Sequence, residues 1–169
     1  MKLQKICHED FAAIYEQMEK NFILAERRDF APAYELFTQE KYSIYHLVDN
    51  EEKVGFISLW QIADAVYVEH FVIYEQYRNK GYGGKALELV KQENNFVVLE
   101  AELPEDELTT RRIGFYQRNG FVRNEQPYVQ PAYRQGGQEV AMVLMSYPNL
   151  VENFDQLVQE LQRCVYGKS

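Results

Sequence analysis

The stretch HFVIYEQYRNKGYGGKALELV, residues 70–90, decides how the chain is read. Its first residues form an apolar strand, Arg78 to Gly84 form a glycine-rich turn, and an amphipathic helix opens immediately afterwards. Such a unit is built to hold an anion. Glycine lets the backbone bend until successive N–H groups face one point, and a new helix adds unpartnered N–H groups and the positive end of its dipole. A phosphate group fits that description. Two common phosphate loops do not apply. Lys85-Ala86 follows the glycines where a nucleotide-triphosphatase loop needs Lys and Ser or Thr. Gly81-x-Gly83-Gly84 also departs from the dinucleotide fingerprint, which expects its unit near the start of a parallel sheet. The alternative is a tight turn without a ligand.

Upstream, from Tyr42 to Ile73, the pattern has period two: YSIYHLVD, VGFISLWQI after the turn DNEEK, and AVYVEHFVI after Ala63-Asp64. These predict neighbouring antiparallel strands. Before them, KLQKIC predicts a short strand, and Phe11, Ile14, Tyr15, Met18 and Phe22 fall at helical spacing. A second helix is predicted in DFAPAYELFTQE, with Asp29 as cap and Pro32 in the first turn, while the intervening ILAERRD reads as polar and exposed. Downstream, FVVLEAEL and GFVRNEQ read as strands flanking the helix DELTTRRIGFYQRN, and EVAMVLMSY follows the loop PYVQPAYRQGG. Asn149 is expected to cap a final helix whose Leu150, Phe154, Leu157, Leu161 and Val165 form one apolar stripe. The fold class predicted is α/β, an α+β mixed sheet of about seven strands with a C-terminal helix.

Composition narrows the class. Hydrophobic residues at 46% and charged residues at 26% exclude collagen-like, coiled-coil and disordered chains. No apolar run approaches the ~20 residues of a membrane span, and MKLQKICHEDF lacks an export signal, so a cytoplasmic protein with two buried thiols, Cys7 and Cys164, is expected. A net charge of −8 argues against nucleic acid and anionic membrane as partners. The charge is uneven, however. Arg78, Lys80 and Lys85 occur with no acid in residues 78–85, and Arg111, Arg112, Arg118 and Arg123 with none in 109–124.

Arg78, Gly81 and Gly83, preceded by the apolar FVI and by Tyr77, resemble the acyl-CoA-binding signature of the GNAT superfamily of N-acetyltransferases. FYQRNGF, from Phe115 to Phe121, resembles that superfamily's aromatic-Tyr pair followed by Gly-Phe, and the order of elements agrees from Lys2 to Tyr147. The resemblance implies a transferase domain over residues 1–148 with a helical extension over 149–169. It implies that the central strand, Ala65 to Ile73, splays from a parallel strand, Phe96 to Glu102, leaving a gap for the pantetheine arm of acetyl-CoA. Main-chain groups of Phe71, Val72 and Ile73 would pair with that arm, and the turn Arg78, Asn79, Lys80, Gly81, Tyr82, Gly83, Gly84 would hold the pyrophosphate. No metal is implied. Where many members have asparagine at the start of the later helix this chain has Thr109, so that contact is not carried over.

The implied reaction is acetyl transfer from acetyl-CoA, as co-substrate, to a primary amine of a small molecule or peptide. The amine must lose a proton, the thioester carbonyl must be polarised, and the departing thiolate must be protonated. The resemblance gives the last role to Tyr116, the alternative being a packed aromatic; an N–H near Val72 would polarise the carbonyl. Glu69 is the expected base, because a carboxylate in mid-strand is expected to be buried with a raised pKa. The alternative is a Glu paired across strands. His70 ranks second and is expected on the opposite face. Glu26, Arg27, Arg28, Tyr128 and Tyr133 are candidates for the acceptor pocket, against the reading of a solvated loop with aromatic anchors. An acidic chain favours a cationic amine, while Arg27-Arg28 would suit a carboxylate. Two other classes remain: a catalytically silent acyl-CoA sensor, and an interaction module whose final helix forms a homodimer.

Overall fold

Alternating apolar residues make the sheet the frame of this molecule. The computed structural model describes residues 1–169. The elements in chain order are β1 (Lys2–Lys5), α1 (Phe11–Asn21), α2 (Phe30–Phe37), β2 (Tyr42–Asp49), β3 (Glu52–Ile62) and β4 (Ala65–Ile73). They continue with α3 (Tyr82–Glu93), β5 (Val97–Glu102), α4 (Glu107–Arg118), β6 (Val122–Arg123), β7 (Tyr128–Gln130), β8 (Val140–Tyr147) and α5 (Phe154–Cys164). The eight strands form one mixed sheet in the order β1-β2-β3-β4-β5-β8-β6, with β7 also paired to β8. Only β4 and β5 run parallel, and their register is short: Val66 with Val97, Tyr67 with Val98, Val68 with Leu99.

Each face of the sheet carries its own apolar core. Phe11, Ile14 and Met18 of α1 and Leu161 and Val165 at the C-terminal end join Trp60, Tyr67 and Val98 on one face. Ala86, Leu87 and Val90 of α3 and Ile113 of α4 join Val66, Val68 and Leu99 on the other. Burying one such large side chain contributes ~1.5–3 kcal/mol, so both layers hold the strands firmly up to the point where β4 and β5 part.

Several expectations need correction. The loop after β6 contains a strand, β7, so the sheet has one strand more than the sequence reading, and the strand predicted over GFVRNEQ shrinks to Val122–Arg123. Asn149 does not cap the last helix. Asn124 accepts from the Val151 N–H (2.9 Å) and donates to the Leu144 carbonyl (3.1 Å), which folds residues 148–153 over the sheet edge and delays the helix to Phe154, with Asn153 at its cap position. Asp29 precedes α2 but its carboxylate binds Arg134 (2.8 Å) instead of a helix N–H. Of the α5 stripe, Phe154, Leu161 and Val165 are buried on the domain itself and Leu150 is 56% exposed, so that face is already covered. The two thiols expected to be buried are free but not buried, Cys7 lying exposed just past the end of β1 and Cys164 partly buried in the last turn of α5. No helix is long and apolar enough to cross a membrane.

Candidate active site

Beyond Val68 and Leu99 the parallel strands separate, and a cleft of about 580 Å³ opens between them. Phe71, Val72 and Ile73 have β3 on one side and the opening on the other. Arg78 stands at one end, where its guanidinium donates to the Ile73 carbonyl (3.0 Å) and to Asn21 Oδ1 (2.9 Å), tying the turn to β4 and to α1. Asn79 and Gly81 both take positive φ, 60° and 77°, and Gly81 sits at the N-cap of α3. A left-handed φ at that cap lets the turn bring the first N–H groups of α3 to one side, where no intrahelical acceptor reaches them. Lys80 folds back onto the Gln76 carbonyl (2.9 Å) and Tyr82 packs edge-on against Tyr77, so both side chains are held by neighbours within the turn. Gly83 has a second reason to be glycine: an added Cβ would come within 3.0 Å of the Phe115 ring on α4. An acyl-CoA fits these groups: a strand edge for an amide-bearing arm and a cationic, N–H-lined turn for phosphate.

Tyr116 on α4 lines the cleft, and its hydroxyl makes no hydrogen bond within the protein. Burial pushes its pKa up to about 12, so the phenol holds its proton at neutral pH. Thr109 closes the capping box of α4, its N–H bonded to Asp106 Oδ1 at 2.7 Å, and its hydroxyl is occupied there.

The two residues expected on opposite faces of β4 share one. The register slips between Ser58 and Leu59: Leu59 faces Val68 and Ser58 faces His70, so Glu69 is the extra residue of a β-bulge. Alternation fails there, and Glu69 Oε2 lies 3.8 Å from His70 Nδ1. His70 is buried, which lowers its pKa and leaves it neutral near pH 7. Its Nε2 donates to the Glu26 carbonyl (3.0 Å), fixing the lone pair on Nδ1.

Glu69 differs from its expectation in charge. Its side chain is fully buried and its carboxylate accepts from Arg28 (2.5 Å), Trp60 Nε1 (2.9 Å) and Tyr133 (3.1 Å). Burial alone would raise its pKa, but the Arg28 charge, then His70 and the Trp60 hydrogen bond, bring it below the ordinary carboxylate value. The raised pKa expected of a base is therefore not found. Arg28, expected on an exposed loop, is itself buried; it also donates to the Val165 carbonyl and lies over the Tyr133 ring at 4.7 Å. Arg27 is drawn to Tyr15 (3.0 Å). Neither arginine lines the cleft, whereas Glu26 and Tyr133 do, and burial followed by the Glu102 charge raises the pKa of Glu26. Tyr128 is buried behind the cleft and donates to Glu100 (2.5 Å).

Glu100 is the residue that sequence reading missed. It is the first residue of β5 past the last parallel pair, it lines the cleft, and Tyr166 donates to both its oxygens (2.8 and 2.9 Å). Burial raises its pKa to about 7, opposed by the tyrosine hydrogen bonds and reinforced by the Glu69 charge. Its signal was present: VVLEAE sets a carboxylate into an apolar strand just as VYVEHF does. Gln130, also missed, lines the cleft with its Oε1 buried and unpartnered.

Comparison with known proteins identifies the family to which this fold belongs. The profile of the acetyltransferase (GNAT) domain matches residues 40–123. A solved structure from Bacteroides thetaiotaomicron, described as a proposed GNAT-family acetyltransferase, is 31% identical with 100% of both chains covered and a TM-score of 0.94. YjbC of Bacillus subtilis, a proposed acetyltransferase, is 29% identical over 109 residues, 63% of this chain but only 55% of its own length. An aminoglycoside 6'-N-acetyltransferase solved with coenzyme A shares the fold at 15% identity, covering 86% of this chain and 96% of its own with a TM-score of 0.63.

Proposed function

The chain belongs to the GNAT acetyltransferase family, and from that premise we propose that it is an acetyl-CoA-dependent N-acyltransferase acting on a primary amine of a small molecule or peptide. The opening between β4 and β5 carries this reading, because it joins the Arg78–Gly84 turn at one end to the free Tyr116 hydroxyl in its wall. In this reading Phe71, Val72 and Ile73 hold the pantetheine amides through their main chain, and the N–H groups of residues 79–84 hold the pyrophosphate. Bound there, acetyl-CoA supplies an activated acetyl group. The N–H near Val72 polarises the carbonyl, and Tyr116, still protonated at neutral pH, donates to the departing sulfur.

The acceptor side favours a cation. Glu26 and Glu100 line it, and the remaining arginine nearby, Arg112, is paired with Glu102. A carboxylate-lined cleft concentrates ammonium groups. Residues 1–148 form the transferase unit in this reading, with residues 149–169 closing it through α5.

The test is to bind CoA by calorimetry and then follow free thiol from acetyl-CoA with spermidine, kanamycin, lysine methyl ester and an alanyl peptide. Thiol release that falls ~10²-fold in Tyr116→Phe with CoA affinity unchanged is expected. Binding without release from any amine would favour an acyl-CoA sensor, and no binding of CoA would remove the reading altogether.

A further inference from the structure

Two carboxylates, Glu69 and Glu100, line the cleft where β4 and β5 part, and their surroundings have opposite effects. Glu69 is neutralised by a buried arginine and two further donors. Glu100 has no cationic partner; it meets tyrosine hydroxyls, Tyr128 on β7, Tyr166 just past α5 and Tyr67 on β4, whose hydroxyl lies 3.4 Å from that of Tyr166, and it feels the Glu69 charge. Such donors hold a carboxylate in place without neutralising it. One β7 face carries both Tyr128, which grips Glu100, and Gln130, whose buried Oε1 has no partner in the cleft wall. An unpartnered buried acceptor and an uncompensated carboxylate lining one cleft call for a ligand rich in N–H. A primary ammonium carries three such donors and one positive charge.

Resting on the acetyl-transfer reading above, we propose that Glu100 is the base that deprotonates the acceptor amine, that Gln130 orients the amine, and that Tyr128 and Tyr166 are positioning residues for Glu100. Glu69 then has a different task, holding Arg28, Trp60 and Tyr133 as the rigid back wall. The proton balance closes. R–NH3⁺ gives one proton to Glu100, which passes it to solvent; the freed nitrogen lone pair forms the C–N bond as the C–S bond breaks. The sulfur takes the Tyr116 proton, the nitrogen loses its second proton to solvent, and Tyr116 is reprotonated from solvent. The sum is R–NHCOCH3, CoA–SH and one H⁺ from R–NH3⁺ and acetyl-CoA. The C-terminal segment is part of this site, since Tyr166 reaches Glu100 from across 66 residues of sequence.

The experiment compares wild type, Glu100→Gln and Tyr166→Phe for CoA affinity and for kcat/KM between pH 6 and 9 with the same amine panel. Wild-type kcat/KM is expected to rise through pH ~7 as Glu100 ionises. Glu100→Gln should keep its CoA affinity within ~2-fold, lose ~10²-fold in turnover and lose that limb. Tyr166→Phe should move the limb to higher pH with the plateau less affected, because it removes a bond that favours the carboxylate. A Glu100→Gln enzyme with wild-type rate and profile overturns the proposal while leaving acetyl transfer standing. If Glu100→Gln cannot bind CoA, Tyr166→Phe decides: an unmoved limb overturns it. If the wild type binds no CoA or acetylates no amine, the acetyl-transfer reading fails, and the role of Glu100 fails with it.

Discussion

Glu69 and Glu100 occupy matching places on neighbouring strands, each just past the last parallel pair, yet one is a fixed anion and the other is poised to exchange a proton. Composition and strand position do not separate them. What separates them is which side chains arrive from elsewhere: a guanidinium from the connection between α1 and α2 for Glu69, phenols from β7 and the C-terminal segment for Glu100. Paired carboxylates pushed apart in pKa are a recurrent way of dividing structural or electrostatic work from proton transfer. The bulge in β4 serves the same division, since it turns Glu69 and His70 to one side and lets Arg28 reach the carboxylate.

The comparison breaks most easily on the Glu69 side, where the largest effect is expected. Arg28→Ala strands a buried carboxylate, and Glu69→Gln strands a buried guanidinium; each should lower unfolding stability by about 3–5 kcal/mol in a urea titration at pH 7. Stability from Glu69 is present above the ordinary carboxylate pKa and lost as pH falls through its lowered value, so the deficit of Glu69→Gln should shrink in acid. A loss below ~1 kcal/mol for both variants would mean that the pair is not the buried anchor described.

Glu100 has the opposite sign. Its folded pKa of about 7 exceeds the ordinary glutamate value of 4.5, so the folded protein keeps a proton there that the unfolded chain has released. Stability from this group therefore falls as pH rises from about 4.5 to about 7, and the penalty is complete above that window. Glu100→Gln lacks the penalty and should gain on wild type by on the order of 3 kcal/mol across that range in paired melts. A constant difference between the two proteins across the same pH range would contradict the raised pKa. Smaller still, Tyr166→Phe should cost about 1 kcal/mol at pH 8, where Glu100 is ionised, and less at pH 5, where it is protonated; denaturant midpoints at the two pH values check this.

Local features of the site were legible in the chain. Arg78, Gly81 and Gly83 write their structure into adjacent residues, because a helix-opening turn depends on φ at Gly81 and on N–H groups within one helical turn. Tyr116 was legible for the same reason, with Phe121 fixed nearby. Glu69 and His70 were read less well because strand alternation assumes an uninterrupted ladder, and the extra residue at Glu69 breaks it, whereas Glu100 stands on an unbroken strand and is set apart only by partners from distant segments. Their protonation depends on contacts that span 41 residues for Arg28 and 66 for Tyr166. Arg28 illustrates the limit from the other side: in ILAERRD it has the composition of a surface loop, and only the folded chain places it against Trp60 and Tyr133.

The split between the two glutamates is tested most directly by titrating their carboxyl carbons by NMR in protein labelled at glutamate Cδ, with Glu69→Gln and Glu100→Gln to assign the resonances. Glu100 is expected to titrate with a midpoint at about 7 while Glu69 stays ionised below the ordinary carboxylate value. Two carboxyls titrating together in the usual range, or Glu69 as the higher of the two, would contradict it.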